Sequence, residues 1–297
     1  MPSGGSPFPR LCEFTSFITP PLTSSFTPSF KPITYRHWSP MTSDCDQTNA
    51  QLEDIREQVL KAPLLSEAEA LTDSSRLVAE FAEDAVFSQK VSSLIGKGMF
   101  RFVRYARRDG NCFFRCASYE LFDLMRREEH FVRECEQQLH KWRNQLKTIF
   151  GEYSGDFCDV VEEVIADISA KRMQTRDDVI RVCTSEDASY IIVYFRYLVS
   201  AYLREHADEY LPFVMGRNYA TVASYCEVEV EPIDHESDDL QAAALAKMFN
   251  VSINIALLER TEGDIHMISL NRAVDDSERR LELHLLFRPG HYDALEM

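Results

Sequence analysis

Tyr105-Ala-Arg-Arg-Asp-Gly-Asn-Cys-Phe-Phe-Arg115 joins two different hydrophobic periods. Before it, Phe100 to Tyr105 reads as a short strand. After it, Phe113, Ala117, Leu121, Phe122 and Met125 recur at helical spacing. A strand, a tight loop and a helix are therefore expected. Asn111 falls where a helix cap belongs, which puts Cys112 in the first turn. There the free N–H groups and the positive end of the helix dipole favour a thiolate. Gly110 permits the positive φ of a sharp loop, and such a loop aims several N–H groups at one point, as an oxyanion hole requires. An ordinary strand–turn–helix with a capping Asn and a buried thiol has the same local pattern.

Outward from this stretch the chain is first helical. Leu52, Ile55, Val59 and Leu60 form one stripe that ends before Pro63, and Leu77, Val78, Phe81, Ala85 and Val86 form a second. Phe131, Cys135, Leu139, Trp142, Leu146 and Ile149 repeat every three to four residues and stop at Gly151. Further helices are expected from Phe157 to Ile168, from Ser189 to about His206, and from Leu240 to Phe249. Then the period becomes two: Val251, Ile253, Ile255 and Leu257, followed by Ile265 to Leu270 and Leu281 to Phe287. Helices first and a small antiparallel sheet late is an α+β order.

Pro289-Gly290 marks a turn, so His291 begins a last strand running to Leu295. Residues two apart on a strand share a face, which sets Asp293 beside His291 and turns Tyr292 away. A carboxylate so placed holds the imidazole tautomer and leaves the other ring nitrogen for a thiol. Cysteine at a helix start with a distant strand histidine and a polar orienter is a papain-like logic. Cys116, one turn after Cys112, reads as a small core residue. His130, His140 and His206 read as solvent-facing residues at helix ends.

The 297 residues carry 32 Lys+Arg against 48 Asp+Glu, a net charge of −16 that argues against nucleic-acid binding and suits a basic partner. The longest apolar candidate, Tyr190 to Leu203, is broken by Arg196, so no membrane span is expected. None of the eight cysteines forms a C-x-x-C pair, no zinc spacing occurs, and no phosphate-binding glycine motif is present. Free thiols in a reducing compartment, cytoplasm or nucleus, are the simplest expectation, and the first residues lack the apolar core of a secretory signal. Residues 1–43 hold eight of the twelve prolines, fourteen Ser/Thr and one acid, and are expected to be disordered. An organelle transit peptide is likewise Ser-rich and acid-poor, but richer in arginine. Residues 44–297 are expected to form the catalytic domain, with a helical arm at about 47–62. That arm is too short to stand alone, so its stripe must pack on the body or on a partner. The acid run Glu227, Glu229, Glu231, Asp234, Glu236, Asp238, Asp239 reads as a solvated surface that also steers basic partners.

With Leu286-Phe-Arg-Pro-Gly-His-Tyr-Asp-Ala-Leu295, Tyr194-Phe-Arg-Tyr-Leu-Val-Ser-Ala-Tyr-Leu203 and Tyr225-Cys-Glu-Val-Glu-Val-Glu-Pro232 added to the opening stretch, the sequence resembles the otubains, cysteine deubiquitinases of the ovarian-tumour (OTU) superfamily. The resemblance covers about 47–297 and is closer to members with a long N-terminal arm. It departs at Phe114, where Tyr is common, at Cys116, where Ala is common, and at Asp239, where His is usual. It implies a papain-like OTU fold, with a helical lobe on a small sheet. It implies Cys112 as nucleophile, His291 as general base and Asp293 as its orienter. Asp109 matches the family's active-site aspartate, and Asp109, Gly110, Asn111 and Cys112 its oxyanion loop. The implied reaction is hydrolysis of the bond between a ubiquitin C-terminus and a lysine, with no metal or cofactor. Ubiquitin, polyubiquitin chains and a ubiquitin-conjugating enzyme are the implied partners. Two other readings remain: a regulator that binds these partners without cleavage, and a general cysteine peptidase.

Overall fold

The structure, a computed structural model, describes residues 53–54, 56–272 and 280–297. The tail 1–43 and two residues of the expected arm stripe, Leu52 and Ile55, lie outside the described residues. Residues 56–61 are helical, and Leu60 is 61% exposed.

Six strands form one sheet in the spatial order β1–β2–β6–β5–β3–β4. They are β1 Glu69–Ala70, β2 Phe102–Arg104, β3 Ser252–Leu257, β4 His266–Leu270, β5 Glu282–Arg288 and β6 His291–Glu296. The expected antiparallel sheet is in fact mixed, because β5 pairs with β3 in parallel. Strand β4 returns antiparallel along one edge of β3, and β5 then lies along the other. Strand β4 ends at Leu270, opposite Ile253, and β5 begins at Glu282, opposite Ser252, so β5 starts from the same end of β3 and runs parallel to it.

The helices are α1 Arg76–Glu80, α2 Ala85–Gly96, α3 Cys112–Arg127, α4 Glu129–Phe150, α5 Ser154–Ser169, α6 Arg176–Cys183, α7 Ala188–Glu205, α8 Ala207–Met215, α9 Val222–Tyr225 and α10 Asp239–Met248. A π turn, Cys226–Val230, continues α9. The single stripe expected at Leu77–Val86 is divided between α1 and α2. Asp84 starts the second helix by accepting from the N–H groups of Val86 (3.1 Å) and Phe87 (3.3 Å).

Helix α3 is the axis of the molecule, packed between β5 and β6 on one side and α4 to α7 on the other. Every residue from Cys112 to Met125 is buried. A helix enclosed on all sides should be apolar, yet Arg115, Glu120 and Asp123 lie within it. Asp123 is held by Arg126, Arg127 and Arg176. Glu120 is pushed up to about 8 by burial and by the carboxylates of Asp123 and Glu296. The far end of β6 is anchored to this layer: Glu296 pairs with Arg104 (3.0 Å), Tyr119 Oη (2.6 Å) and Arg176 (2.6 Å). Strand β6 and the start of α3 are thereby held in fixed register.

Candidate active site

The loop before α3 is shaped from both sides. Gly110 has φ 79°, and a Cβ there would stand 2.3 Å from the carbonyl carbon of Asp234. No side chain fits, because the 232–235 segment lies directly on the loop. Gly110→Ala combines left-handed strain with a backbone collision, each worth about 1–3 kcal/mol. The expected result is a loss of about 3 kcal/mol in urea denaturation, with hydrolysis lost in parallel.

Asp109 folds back over this loop. Its Oδ1 accepts from Asn111 N–H (3.1 Å), and both carboxylate oxygens accept from Arg115, at 2.9 and 2.7 Å. Burial acts to raise the Asp109 pKa, but the Arg115 hydrogen bonds and charge outweigh it and hold the carboxyl below its usual range. Asn111 occupies the cap position of α3, yet its side chain does not cap the helix. It donates to Asp234 Oδ1 (2.7 Å) and accepts from Asp234 N–H (3.0 Å) and Arg196 (2.9 Å). The expected capping bond is replaced by a tie between segments over a hundred residues apart. The N–H groups of Gly110 and Cys112 donate to no group among the described residues.

Cys112 begins α3 and is 3% exposed. The Tyr292 backbone N–H points at its sulfur from 3.4 Å, so the thiol lies against β6. The helix start was expected to favour a thiolate. Burial instead pushes the thiol up to about 11, against the opposing hydrogen bonds from the Tyr292 and Phe113 N–H groups. One turn of dipole supplies at most about 2 kcal/mol, less than the cost of enclosing the charge. In this closed arrangement the sulfur holds its proton, and a base is needed to take it.

The hairpin β5–β6 carries the expected base, His291, and its expected orienter, Asp293. Its two-residue turn uses Pro289 and Gly290, the latter at φ 71°. His291 is 2% exposed, and its Nε2–H donates to Asp293 Oδ1 at 2.9 Å. The other ring nitrogen, Nδ1, is buried without a partner among the described residues. Asp293 is fully buried; Oδ1 also accepts from Ala106 N–H (2.9 Å), and Oδ2 pairs with Arg288 Nη2 (2.5 Å). Arg288 is in turn held by both oxygens of Glu80 in α1, at 2.9 and 2.8 Å. Tyr292 points the other way, its ring 5.4 Å from that of Phe113.

The Cys112 sulfur meets β6 at the Tyr292 N–H, between His291 and Asp293, and no hydrogen bond joins the sulfur to the imidazole among the described residues; Asp109, Gly110 and Asn111 form the loop immediately before the thiol. Cys116 is fully buried one turn deeper, its sulfur 3.6 Å from the Tyr292 carbonyl. His130 and His206 sit at helix termini, but His140 lies in mid-helix, hydrogen-bonded to Asn144. Sequence reasoning missed three residues: Arg196, Arg288 and Glu80. For the first, the signal was a lone arginine inside an apolar stripe.

An α+β body with a helix-start cysteine against a strand that carries an enclosed imidazole–carboxylate pair defines a cysteine hydrolase of the papain-like class. The family model described as Peptidase C65 Otubain matches residues 57–297, and the chain belongs to that family. It is 30% identical over 250 residues to the "Ubiquitin thioesterase otubain-like" of Caenorhabditis elegans, covering 82% of this chain and 85% of that one. To the Homo sapiens "Ubiquitin thioesterase OTUB1" it is 30% identical over 273 residues, covering 86% and 95%. Among solved structures it is similar to "The structure of a ceOTUB1 ubiquitin aldehyde UBC13~Ub complex", with a TM-score of 0.73 and 28% identity, covering 82% of this chain and 98% of that one.

Proposed function

We propose that the protein is a cysteine deubiquitinase, hydrolysing the isopeptide bond between a ubiquitin C-terminus and a lysine. The observation that carries the reading is the complete set in one place. It comprises a thiol at the helix start, an imidazole with one nitrogen bonded to a carboxylate and the other without a partner among the described residues, and the N–H groups of Gly110 and Cys112, which donate to no described group. His291 Nδ1 takes the proton of Cys112, the sulfur attacks the ubiquitin carbonyl, and the N–H groups of Gly110 and Cys112 receive the oxyanion. The imidazolium protonates the departing lysine amine, and water then releases the acyl-enzyme. Asp293 fixes the ring and balances its charge.

Relatives named for ubiquitin thioesterase activity, and a neighbour solved with ubiquitin aldehyde, support ubiquitin as the substrate. The net charge of −16 suits a basic C-terminal tail. A ubiquitin derivative ending in an electrophile is expected to label Cys112 stoichiometrically, and di-ubiquitin is expected to be cleaved. Ubiquitin binding without labelling would overturn the enzyme reading in favour of a binding regulator. Labelling by a generic peptide electrophile but not by the ubiquitin probe would favour a general peptidase.

One observation supports an additional binding role. Of the described residues of the arm's stripe, Val59 is half-buried and Leu60 is 61% exposed, which leaves apolar surface of this turn open to a partner. A ubiquitin-conjugating enzyme fits, because the otubain neighbours were solved in complexes with UBC13~Ub and UBCH5B~Ub.

A further inference from the structure

Arg196 is a charged residue in the middle of α7, wholly enclosed, with no carboxylate in salt-bridge contact among the described residues. Burial lowers its pKa to about 10, so it still carries its charge at pH 7. Enclosing an unpaired guanidinium is costly, and such groups persist where their hydrogen bonds specify something.

What this one gathers is a set of oxygens around the oxyanion loop. Nη1 donates to the Val230 carbonyl (3.0 Å). Nη2, with two hydrogens, is shared among the Gly110 carbonyl (3.0 Å), Asn111 Oδ1 (2.9 Å) and the His235 carbonyl (2.7 Å). The plane of the guanidinium is backed by the Phe114 ring, 4.8 Å away. The Gly110–Asn111 peptide is therefore clamped from opposite sides. Its C=O is held by Arg196, and its N–H by Asp109, which Arg115 holds in turn. With this middle peptide fixed, the peptides before and after it keep their N–H groups, those of Gly110 and Cys112, out of internal hydrogen bonds. The charge of Arg196 is enclosed and is bonded to the carbonyl of Gly110, in the same loop as the N–H groups that would meet developing negative charge.

We propose that Arg196 is the positioning residue of the oxyanion hole. It orients the loop from behind and contributes its buried charge to the tetrahedral intermediate. The proposal rests on the deubiquitinase reading above.

The test compares two reactions at the same sulfur. Hydrolysis of a ubiquitin C-terminal amide forms an oxyanion. Alkylation by a ubiquitin whose C-terminus ends in a haloalkyl group is a direct displacement at carbon: the C–S bond forms as halide leaves, and no oxyanion arises. Arg196→Lys keeps the charge and the stem but cannot span the same oxygens, and Arg196→Met removes the charge as well. For Arg196→Lys, kcat for hydrolysis is expected to fall about 10²-fold while KM and the alkylation rate stay within about threefold of wild type. The melting temperature shows whether each variant is folded, and Arg196→Lys serves if Arg196→Met is not. An equal fall in alkylation and hydrolysis by folded Arg196→Lys, or no fall in either, overturns the assignment. Wild type that is neither alkylated nor active on ubiquitin overturns the deubiquitinase reading itself, and the role of Arg196 with it.

Discussion

Cys112→Ala is expected to abolish cleavage of di-ubiquitin and to leave ubiquitin binding intact. Removing the sulfur removes the atom that attacks, so the expected loss is at least about 10⁴-fold in kcat. Binding should survive because the thiol is 3% exposed and offers almost no surface to a partner. Ala conserves the helix start, and the sulfur's polar contacts are backbone N–H groups, that of Tyr292 at 3.4 Å and that of Phe113, so the melting temperature should move little. Cys116 is the control. It lies in the same helix one turn deeper and is fully buried, with its thiol on a backbone carbonyl 3.6 Å away. Burial pushes that thiol well above its ordinary value, and the charge of Asp293 adds to the shift. Cys116→Ala should therefore retain most of the activity. Measured kcat on di-ubiquitin and ubiquitin affinity by titration check both variants. Cleavage by Cys112→Ala at more than about 1% of wild type, or an equally inactive Cys116→Ala, would show that the nucleophile is another residue.

The strand–loop–helix from Phe100 to Met125 and the shared face of His291 and Asp293 were legible because each depends on local spacing. Period and turn chemistry act over a few residues, and the hairpin at Pro289-Gly290 is of that kind. The parallel pairing of β3 with β5 was not legible, since a period of two sets which face is buried and leaves the neighbour open. The division between α1 and α2 left a readable sign, an Asp three residues before Phe87, hidden by the continuity of the apolar stripe. Asn111 shows the opposite difficulty. Its position is that of a cap, but Asp234 and Arg196 compete for its side chain, and neither is near it in sequence. Glu80 and Arg288 are separated by 208 residues, and nothing local announces that one holds the other. The thiol was expected to ionise readily because the helix dipole is visible in sequence, whereas the enclosure that outweighs it comes from the tertiary fold.

His291→Ala is expected to match Cys112→Ala in activity, about 10⁴-fold or more, because base and nucleophile act as a unit. Its effect on stability should be small, since the ring makes a single hydrogen bond and leaves Nδ1 unpartnered. Asp293→Asn should behave differently on both counts. The Ala106 N–H and Arg288 fix this side chain whether or not the imidazole is present. An amide cannot satisfy all three neighbours. With its oxygen toward His291 and Ala106, its NH2 group meets Arg288 at a position where the carboxylate oxygen now stands 2.5 Å away. Flipped, it opposes the two N–H donors instead. Arg288 is 3% exposed, so it loses its inner partner in the interior and keeps only Glu80. Leaving a buried charge half-paired costs about 3 kcal/mol, which should appear as a drop in melting temperature of several degrees. The ring can still be held by the amide oxygen, so the loss in kcat should be smaller than for His291→Ala, about 10²-fold to 10³-fold. The two variants should thus separate: His291→Ala inactive and stable, Asp293→Asn partly active and destabilised. Thermal denaturation and di-ubiquitin kinetics on both decide it. A stable Asp293→Asn would mean that Arg288 does not depend on this carboxylate, and equal kcat losses would mean that Asp293 does more than hold the ring.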